Sequence, residues 1–340
     1  MKKIIATAAL AVVAFSGAAE ARDQVQVAGS STVLPYAQIV AEQFGKTYAG
    51  TINAPIVESG GSSAGLKLFC SGVGTEYIDV ANASRKIKDK EVKACAENGV
   101  TDIIEVPFGK DGVVMATKVG MPEFAFTPKD VFLALAAQVP VDGKLVDNPY
   151  KTWDQVNSSF PKQEITMYIP GEKHGTREVF EVKVLEEGCA ATGAEELFKA
   201  AGDKKAKGCI KVRTDGASVD IDGDYSETIA RVESNPAGVG VFGISFYENN
   251  RDKLNVATVD GVVPSLETIQ NGEYPVSRHL YFYVKAAHIG VVPGIDEYVN
   301  FFLSDRMVGE DGMVVEKGLI PLSETALKEL RASVAAHKTM

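Results

Sequence analysis

Short strand-like runs alternate with amphipathic, helix-like runs through the first 120 residues of the sequence. This alternation is typical of an α/β fold with a largely parallel sheet. No repeat, heptad pattern or Pro-rich linker interrupts the rest of the chain, so we expect two lobes between which the chain crosses more than once. The predicted strands are residues 24–28, 52–58, 77–83, 102–108, 112–117, 165–169, 238–242 and 280–285, and the predicted helices are residues 35–48, 62–71, 89–97, 128–137, 175–186, 295–303 and 324–335.

Three turns rich in small polar residues share one arrangement, in which a predicted strand precedes the turn and a predicted helix follows it. They are residues 28–32 (AGSST), 59–65 (SGGSSAG) and 171–177 (GEKHGTR). Each turn brings free backbone N–H groups and hydroxyls to a helix N-terminus, where the helix dipole also favours negative charge. Simple N-capping explains a single turn of this kind. Three of them indicate an anion pocket, because ligands of open α/β sheets lie at the carboxyl ends of the strands.

Three cationic or donor side chains stand beside these turns. Arg85 follows the predicted strand at residues 77–83, and Arg177 opens the predicted helix at residues 175–186. A guanidinium presents a planar fork that matches a tetrahedral oxyanion in bidentate fashion, although a lone Arg is usually a solvated surface charge. His174 lies inside the third turn and can donate to an anion. We therefore expect all three residues to contribute to the pocket.

Signatures of catalysis and of metal binding are missing from the sequence. It contains no GxSxG, GxxxxGK[ST] or HExxH motif. Asp220, Asp222 and Asp224 have a spacing similar to a calcium loop, but the later Gly and Glu of an EF-hand are absent, which favours a solvated acidic turn. We therefore expect no catalytic residue, no metal site and no cofactor.

The first 21 residues have the pattern of a secretory signal peptide. Two Lys follow Met1, residues 4–14 form an apolar run too short to span a bilayer, and Ala19 and Ala21 form a small-x-small cleavage site. Cleavage after Ala21 would start the mature chain at Arg22. No Cys stands at the cleavage site, so we expect no lipid anchor. No later apolar run is long enough for membrane insertion. The sequence thus predicts a soluble, exported protein.

The charge of the chain limits its partners. The formal net charge is −10, and it becomes −11 without residues 1–21, because Lys2, Lys3 and Glu20 together carry +1. This charge argues against nucleic acid and anionic membrane surfaces as partners. It does not exclude a small anionic ligand, since local donors decide that binding.

The four cysteines, Cys70, Cys95, Cys189 and Cys209, form no CxxC pair and have no His at zinc-ligand spacing. An even number of cysteines in an exported chain predicts two disulfides. Three pairings are open, and we favour the local one, which joins Cys70 to Cys95 and Cys189 to Cys209. Each bridge would then close a loop of 20 to 25 residues.

Five motifs together resemble one known family, the phosphate-binding proteins of the Pst ABC importers. The matches run from about residue 25 to residue 283 in the family's order, which is more specific than any one Gly-rich turn. The motifs are residues 29–35 (GSSTVLP), 58–65 (ESGGSSAG), 79–85 (DVANASR), 174–177 (HGTR) and 235–243 (NPAGVGVFG).

The resemblance implies a periplasmic-binding-protein fold, in which two α/β lobes, each with a mixed, mostly parallel sheet, close on a dehydrated phosphate. We expect residues 22–108 and 281–340 to form the first lobe and residues 109–280 the second. The implied function is capture of inorganic phosphate in the periplasm for the membrane permease of an ABC importer. We expect a monomer that does not act as an enzyme.

The resemblance also implies the ligands. The family's first motif supplies a hydroxyl and a backbone N–H, its Gly-Ser-Ser motif supplies a hydroxyl, and its Ser-Gly-Thr motif supplies further donors. The residues that match these motifs are Ser31, Thr32, Ser62, His174, Gly175 and Thr176.

Two departures from the family's best-studied branch bear on selectivity. That branch carries an Asp where Arg85 stands and an Arg where Pro170 stands, so this chain resembles a second branch, which implies Arg85 and Arg177 as ligands. The missing Asp accepts the proton of phosphate, and sulfate has no such proton to give, so a buried carboxylate favours phosphate over sulfate. Asp111, in residues 109–112 (GKDG), is our candidate to replace it; a simple turn-forming Asp is the alternative.

Other readings of the sequence remain open. The nearest is a binding protein for another tetrahedral oxyanion, such as sulfate, molybdate or tungstate. A phosphate-ester hydrolase, from a different class, would need a nucleophile and a cluster of metal ligands, and would turn over a chromogenic ester. A pure interaction module would show no ion-dependent rise in melting temperature.

Overall fold

The computed structural model describes residues 22–172 and 174–340, and the predicted signal peptide, residues 1–21, lies outside them. The strands in chain order are β1 (Gln26–Gly29), β2 (Ile56–Ser59), β3 (Val80–Ala83), β4 (Ile103–Lys118), β5 (Ala125–Phe126), β6 (Gln138–Val141), β7 (Lys144–Asp147), β8 (Met167–Pro170), β9 (Ser218–Ile221), β10 (Val239–Gly243), β11 (Leu254–Val256), β12 (Thr258–Val259) and β13 (Ser277–Lys285).

The helices alternate with these strands. In chain order they are α1 (Leu34–Thr47), α2 (Ser62–Phe69), α3 (Asp89–Glu97), α4 (Pro128–Leu135), α5 (Trp153–Val156), α6 (Gly175–Phe180), α7 (Glu187–Ala191), α8 (Ala194–Ala200), α9 (Tyr225–Ser234), α10 (Ile244–Glu248), α11 (Leu266–Gln270), α12 (Ile295–Phe302), α13 (Asp305–Val308) and α14 (Glu324–Ala335), and a π-helical segment, Glu181–Glu186, joins α6 to α7. Across the described residues, none of the helices combines the length and apolar character needed to cross a bilayer.

One mixed sheet runs through the molecule in the order β2-β1-β3-β13-β4-β10-β8-β9, with β11 also paired to β4. The outer pairs are parallel, as the strand-helix alternation predicts, whereas β13 and β4 run antiparallel to their neighbours. The first part of β4 pairs with β13, and its last residues pair with β10 and β11. Strand β4 therefore carries the chain from one lobe into the other.

Two separate sets of core residues define the lobes. Val27, Phe44 and Phe282 belong to a core built from residues 25–108 and 280–334. Phe126 and Trp153 belong to a second core, which is built from residues 113–276 together with Ile320. The two-lobed α/β fold expected from the sequence is confirmed.

The prediction of two strands at residues 102–108 and 112–117 is wrong in one respect, because β4 continues through the Gly-Lys-Asp-Gly segment. Asp111 is paired with Arg278 of β13, and Gly112 with Ser277, so the segment is extended rather than a turn. Lys110 exchanges backbone hydrogen bonds of 2.8 and 2.9 Å with Ile320. Pairing on both sides overrides the local turn preference of Gly and Asp.

The disulfides join Cys70 to Cys95 and Cys189 to Cys209, which is the local pairing favoured from the sequence. The first bridge lies in a core cluster of the first lobe with Leu66 and Tyr283. The second lies with Phe132 and Phe198 in the second lobe. Each bridge is therefore internal to one lobe, and neither restrains the lobes relative to each other.

Replacing both Cys70 and Cys95 by Ala is expected to lower the free energy of unfolding by about 3 kcal/mol, because the open loop gains conformational entropy in the unfolded chain. The Cys70–Cys95 loop spans 25 residues and the Cys189–Cys209 loop spans 20. Replacing both Cys189 and Cys209 by Ala is therefore a matched comparison, with a similar expected loss in the free energy of unfolding. Urea unfolding without reductant measures the free energy of unfolding of both double variants. A loss well under 1 kcal/mol for either variant would contradict the loop argument.

Candidate anion-binding site

A cleft of about 470 Å³ lies between the two lobes. Its walls come from the β1–α1 turn and the start of α1, from the β8–α6 turn, from β4, from the start of α9, from the end of β10 with α10, and from residues 316–318. The sequence-predicted residues that line it are Ser31, Thr32, Asp111, His174, Gly175 and Thr176. Turns far apart in the sequence thus meet at one cavity.

Close approach of the two lobes at this cleft depends on a glycine. A Cβ atom on Gly175 would lie 2.7 Å from Thr32 Oγ1 and 2.9 Å from Thr32 Cα, which is closer than real side chains come. The first residue of α6 can therefore touch the β1–α1 turn only because it has no side chain.

Three donors converge on a single carboxylate oxygen, Glu178 Oε2. The Ser84 hydroxyl donates to it at 3.0 Å, Arg278 Nη2 at 3.2 Å and the Thr32 hydroxyl at 3.3 Å. Ser84 and Thr32 come from the first lobe, and Glu178 comes from α6 of the second. An oxygen of another anion at this position would meet the same three donors.

Ser62 supports this group from behind. Its hydroxyl lies 3.0 Å from the hydroxyl of Ser84 and accepts the backbone N–H of Ser84 at 3.1 Å. Ser62 is buried and does not line the cleft among the described residues. Ser62 therefore stands behind Ser84 and orients it.

Arg278 does not line the cleft among the described residues, but its guanidinium contacts two residues that do. Its Nη2 reaches Thr32 Oγ1 at 3.1 Å and the Gly175 carbonyl at 3.4 Å, in addition to Glu178. The side chain is 9% exposed, and Nε is buried with no hydrogen-bond partner among the described residues. On the sheet Arg278 stands directly opposite Asp111. Burial raises the pKa of the Asp111 carboxyl, and the charge of Arg278 partly opposes that rise.

The two arginines predicted from the sequence are held by carboxylates of the chain itself. Arg85 donates to both oxygens of Glu91, at 2.9 and 2.8 Å, and to the Ser63 hydroxyl at 2.9 Å. It does not line the cleft within the described residues. The guanidinium fork of Arg85 is thus already engaged.

Arg177 is engaged in the same way. Its Nε donates to Glu181 at 2.7 Å, and its Nη1 donates to the Pro170 carbonyl at 2.9 Å and to Asp220. The residue is buried, and it too is absent from the cleft lining of the described chain. Its contacts tie α6 to the end of β8.

The remaining donors of the β8–α6 turn face α9. The Thr176 hydroxyl is hydrogen bonded to the phenol of Tyr225, and burial raises the pKa of Tyr225 to about 12. His174 Nε2 lies 3.3 Å from the Asp222 carbonyl. Asp224 caps α9 by accepting the Ser226 N–H at 2.9 Å. The acidic turn that resembled a calcium loop thus makes structural contacts, and no cluster of three metal-ligating side chains occurs in the described ranges.

Ser84, Glu178 and Arg278 are not among the site residues predicted from the sequence. Ser84 and Glu178 are next to two predicted residues, Arg85 and Arg177, so the motifs indicated the right segments. Arg278 had no local signal, because its place beside the cleft follows from the pairing of β13 with β4. Only a prediction of which strands pair would have found it.

Comparisons with known proteins agree on one family. Residues 16–306 match the family described as a PBP superfamily domain. Protein SphX of Synechococcus elongatus is 29% identical over 98% of this chain and 88% of its own length. The phosphate-binding protein PstS of Staphylococcus epidermidis is 30% identical over 82% of this chain and 74% of its own. A solved structure described as a possible phosphate binding protein from Planctomyces limnophilus has a similar fold, with a TM-score of 0.70 and 23% identity over 94% of this chain and 99% of that one.

Replacing Gly175 by Ala is expected to push the lobes apart, because the new methyl group would collide with the backbone as well as the side chain of Thr32. Ala is a better helix former than Gly, so helix propensity alone predicts a more stable α6 and no separation of the lobes. Small-angle scattering should give a larger radius of gyration than for the unchanged protein.

The matched control is Gly60→Ala, which adds the same methyl group at another turn of the first lobe, where the nearest atom is 3.8 Å away. Its scattering should equal that of the unchanged protein. Equal radii for all three proteins would contradict the close approach at Gly175.

Proposed function

Because this chain belongs to the PBP superfamily and, within it, to the family that contains PstS, we propose that it captures inorganic phosphate for an ABC importer. The family consists of binding proteins and not enzymes. The protein would bind phosphate in the cleft between its lobes and present it to the membrane permease.

The convergence of Thr32, Ser84 and Arg278 on one oxygen carries the proposal. Two neutral hydroxyls and one buried guanidinium, all within 3.3 Å of the same point, suit an oxyanion stripped of water. The residues that line the cleft, among them Ser31 and Thr176, would add backbone N–H groups and further hydroxyls. Such a set neutralises the anion without a large excess of positive charge.

We propose as ligands the three converging donors Thr32, Ser84 and Arg278, together with Ser31, Asp111, Gly175 and Thr176, with His174 at the edge of the site. Three residues implied by the resemblance would act indirectly. Ser62 would orient Ser84, and Arg85 and Arg177 would hold their turns in place through the carboxylates described above.

Lobe closure would couple binding to transport. The donors belong to both lobes, so the closed arrangement and the bound ion stabilise each other. We propose residues 22–108 and 281–340 as the first lobe and residues 109–280 as the second. The two cores support this division except at Leu280, which packs in the first core, and Ile320, which packs in the second. The protein would work as a monomer in the periplasm after removal of residues 1–21.

Titration of the purified, phosphate-stripped protein tests the proposal. Calorimetry is expected to show one phosphate bound per chain, with weaker binding of sulfate and molybdate. The melting temperature should rise with phosphate, because a ligand that binds only the folded state stabilises it. Stronger binding of sulfate or molybdate than of phosphate would favour the alternative oxyanion, and no binding of any of the three would refute the function.

The Asp111→Asn variant tests how phosphate is selected. A carboxylate at Asp111 would accept the phosphate proton, whereas the amide can also donate and so accommodates sulfate. We expect the preference for phosphate over sulfate to fall by about tenfold or more. Asp224→Asn is the matched control, because Asp224 lines the same cleft and Asn keeps its capping role. An unchanged preference in Asp111→Asn would remove Asp111 from the selectivity mechanism.

A further inference from the structure

Glu178 is an acidic side chain beside the proposed anion-binding cleft, where it contacts Thr32 of the cleft wall. It is the fourth residue of α6, and its side chain is 43% exposed. Its Oε2 atom takes the hydrogen bonds of Thr32, Ser84 and Arg278 at once. This carboxylate is the one group of the second lobe that engages both hydroxyls of the first lobe among the contacts described above.

The hydroxyl donors can serve only one anion at a time. Thr32 and Ser84 each carry a single hydroxyl proton, so a proton given to Glu178 cannot also be given to a phosphate oxygen. A second anion at hydrogen-bond distance from the same donors would also face the negative charge of Glu178 with little water between them. Glu178 and phosphate therefore exclude each other at this position.

We propose that Glu178 is a built-in competitor, whose carboxylate occupies the donor set of one phosphate oxygen and must be displaced when phosphate binds. This inference rests on the proposed function. Displacement needs only rotation of a side chain that is already partly in solvent. The affinity measured for phosphate is then the intrinsic affinity of the cleft reduced by the fraction of molecules in which Glu178 is disengaged.

The same contacts give Glu178 a second effect on the lobes. While its carboxylate is bound to Thr32 and Ser84, it bridges the second lobe to the first. Phosphate would replace one bridge by another, so the lobes need not separate fully between the two states. The competitor thus lowers affinity and keeps the donors aligned.

Substitution of Glu178 by Gln is expected to raise phosphate affinity about tenfold, because a neutral amide is a much weaker acceptor for Arg278 and the hydroxyls. Glu178→Asp keeps the charge but shortens the side chain by one methylene, so it should also bind phosphate more tightly. Glu187→Gln is the control and should leave phosphate affinity unchanged. Glu187 lies on α7, and within the described residues its side chain pairs only with Lys183.

Calorimetry with inorganic phosphate on all four proteins separates the outcomes, after melting curves have shown that each variant is folded. No phosphate binding by any of them would refute the proposed function. Binding by the unchanged protein with equal or weaker binding by Glu178→Gln would refute the competitor and leave the function intact. If Glu178→Gln does not fold, Glu178→Asp decides, and unchanged affinity in that variant would refute displacement of the carboxylate.

Discussion

The pairing of β4 with β13 is the constraint on which the rest of the structure depends. These two strands lie at the centre of the sheet, and β4 belongs to both lobes. The register between them sets Asp111 opposite Arg278, where the first lobe's sheet gives way to the second. A slip of β13 by one residue would turn Arg278 to the other face of the sheet, away from Asp111 and Glu178.

The charges around the cleft are balanced rather than strongly positive. Arg278 faces two carboxylates, Asp111 and Glu178, while Arg85 and Arg177 are neutralised by Glu91, Glu181 and Asp220. The chain as a whole is acidic, with a net charge of −10. The negative charge of the chain repels an anion at long range. Selection of an anion therefore depends on where hydroxyls and N–H groups point.

Local signals in the sequence located most of the elements, and long-range pairing determined the rest. Helices α3 and α14 have the predicted bounds, and the turns before α1 and α6 do line one cavity. The orientation of Arg85 and Arg177 could not be predicted from their position at strand and helix ends. It depends on carboxylate partners, of which only Glu181, four residues beyond Arg177, has a spacing visible in the sequence. The position of Arg278 could not be predicted either, because it depends on the pairing of β13 with β4.

Both disulfides join cysteines that are neighbours in chain order. For a polypeptide that crosses a membrane with its N-terminus first, the two thiols of each bridge emerge before any later cysteine is available. An oxidant that links thiols in their order of appearance would produce the native bridges directly, with no reshuffling step. Maturation of the chain would then depend on an oxidase and be indifferent to a disulfide isomerase.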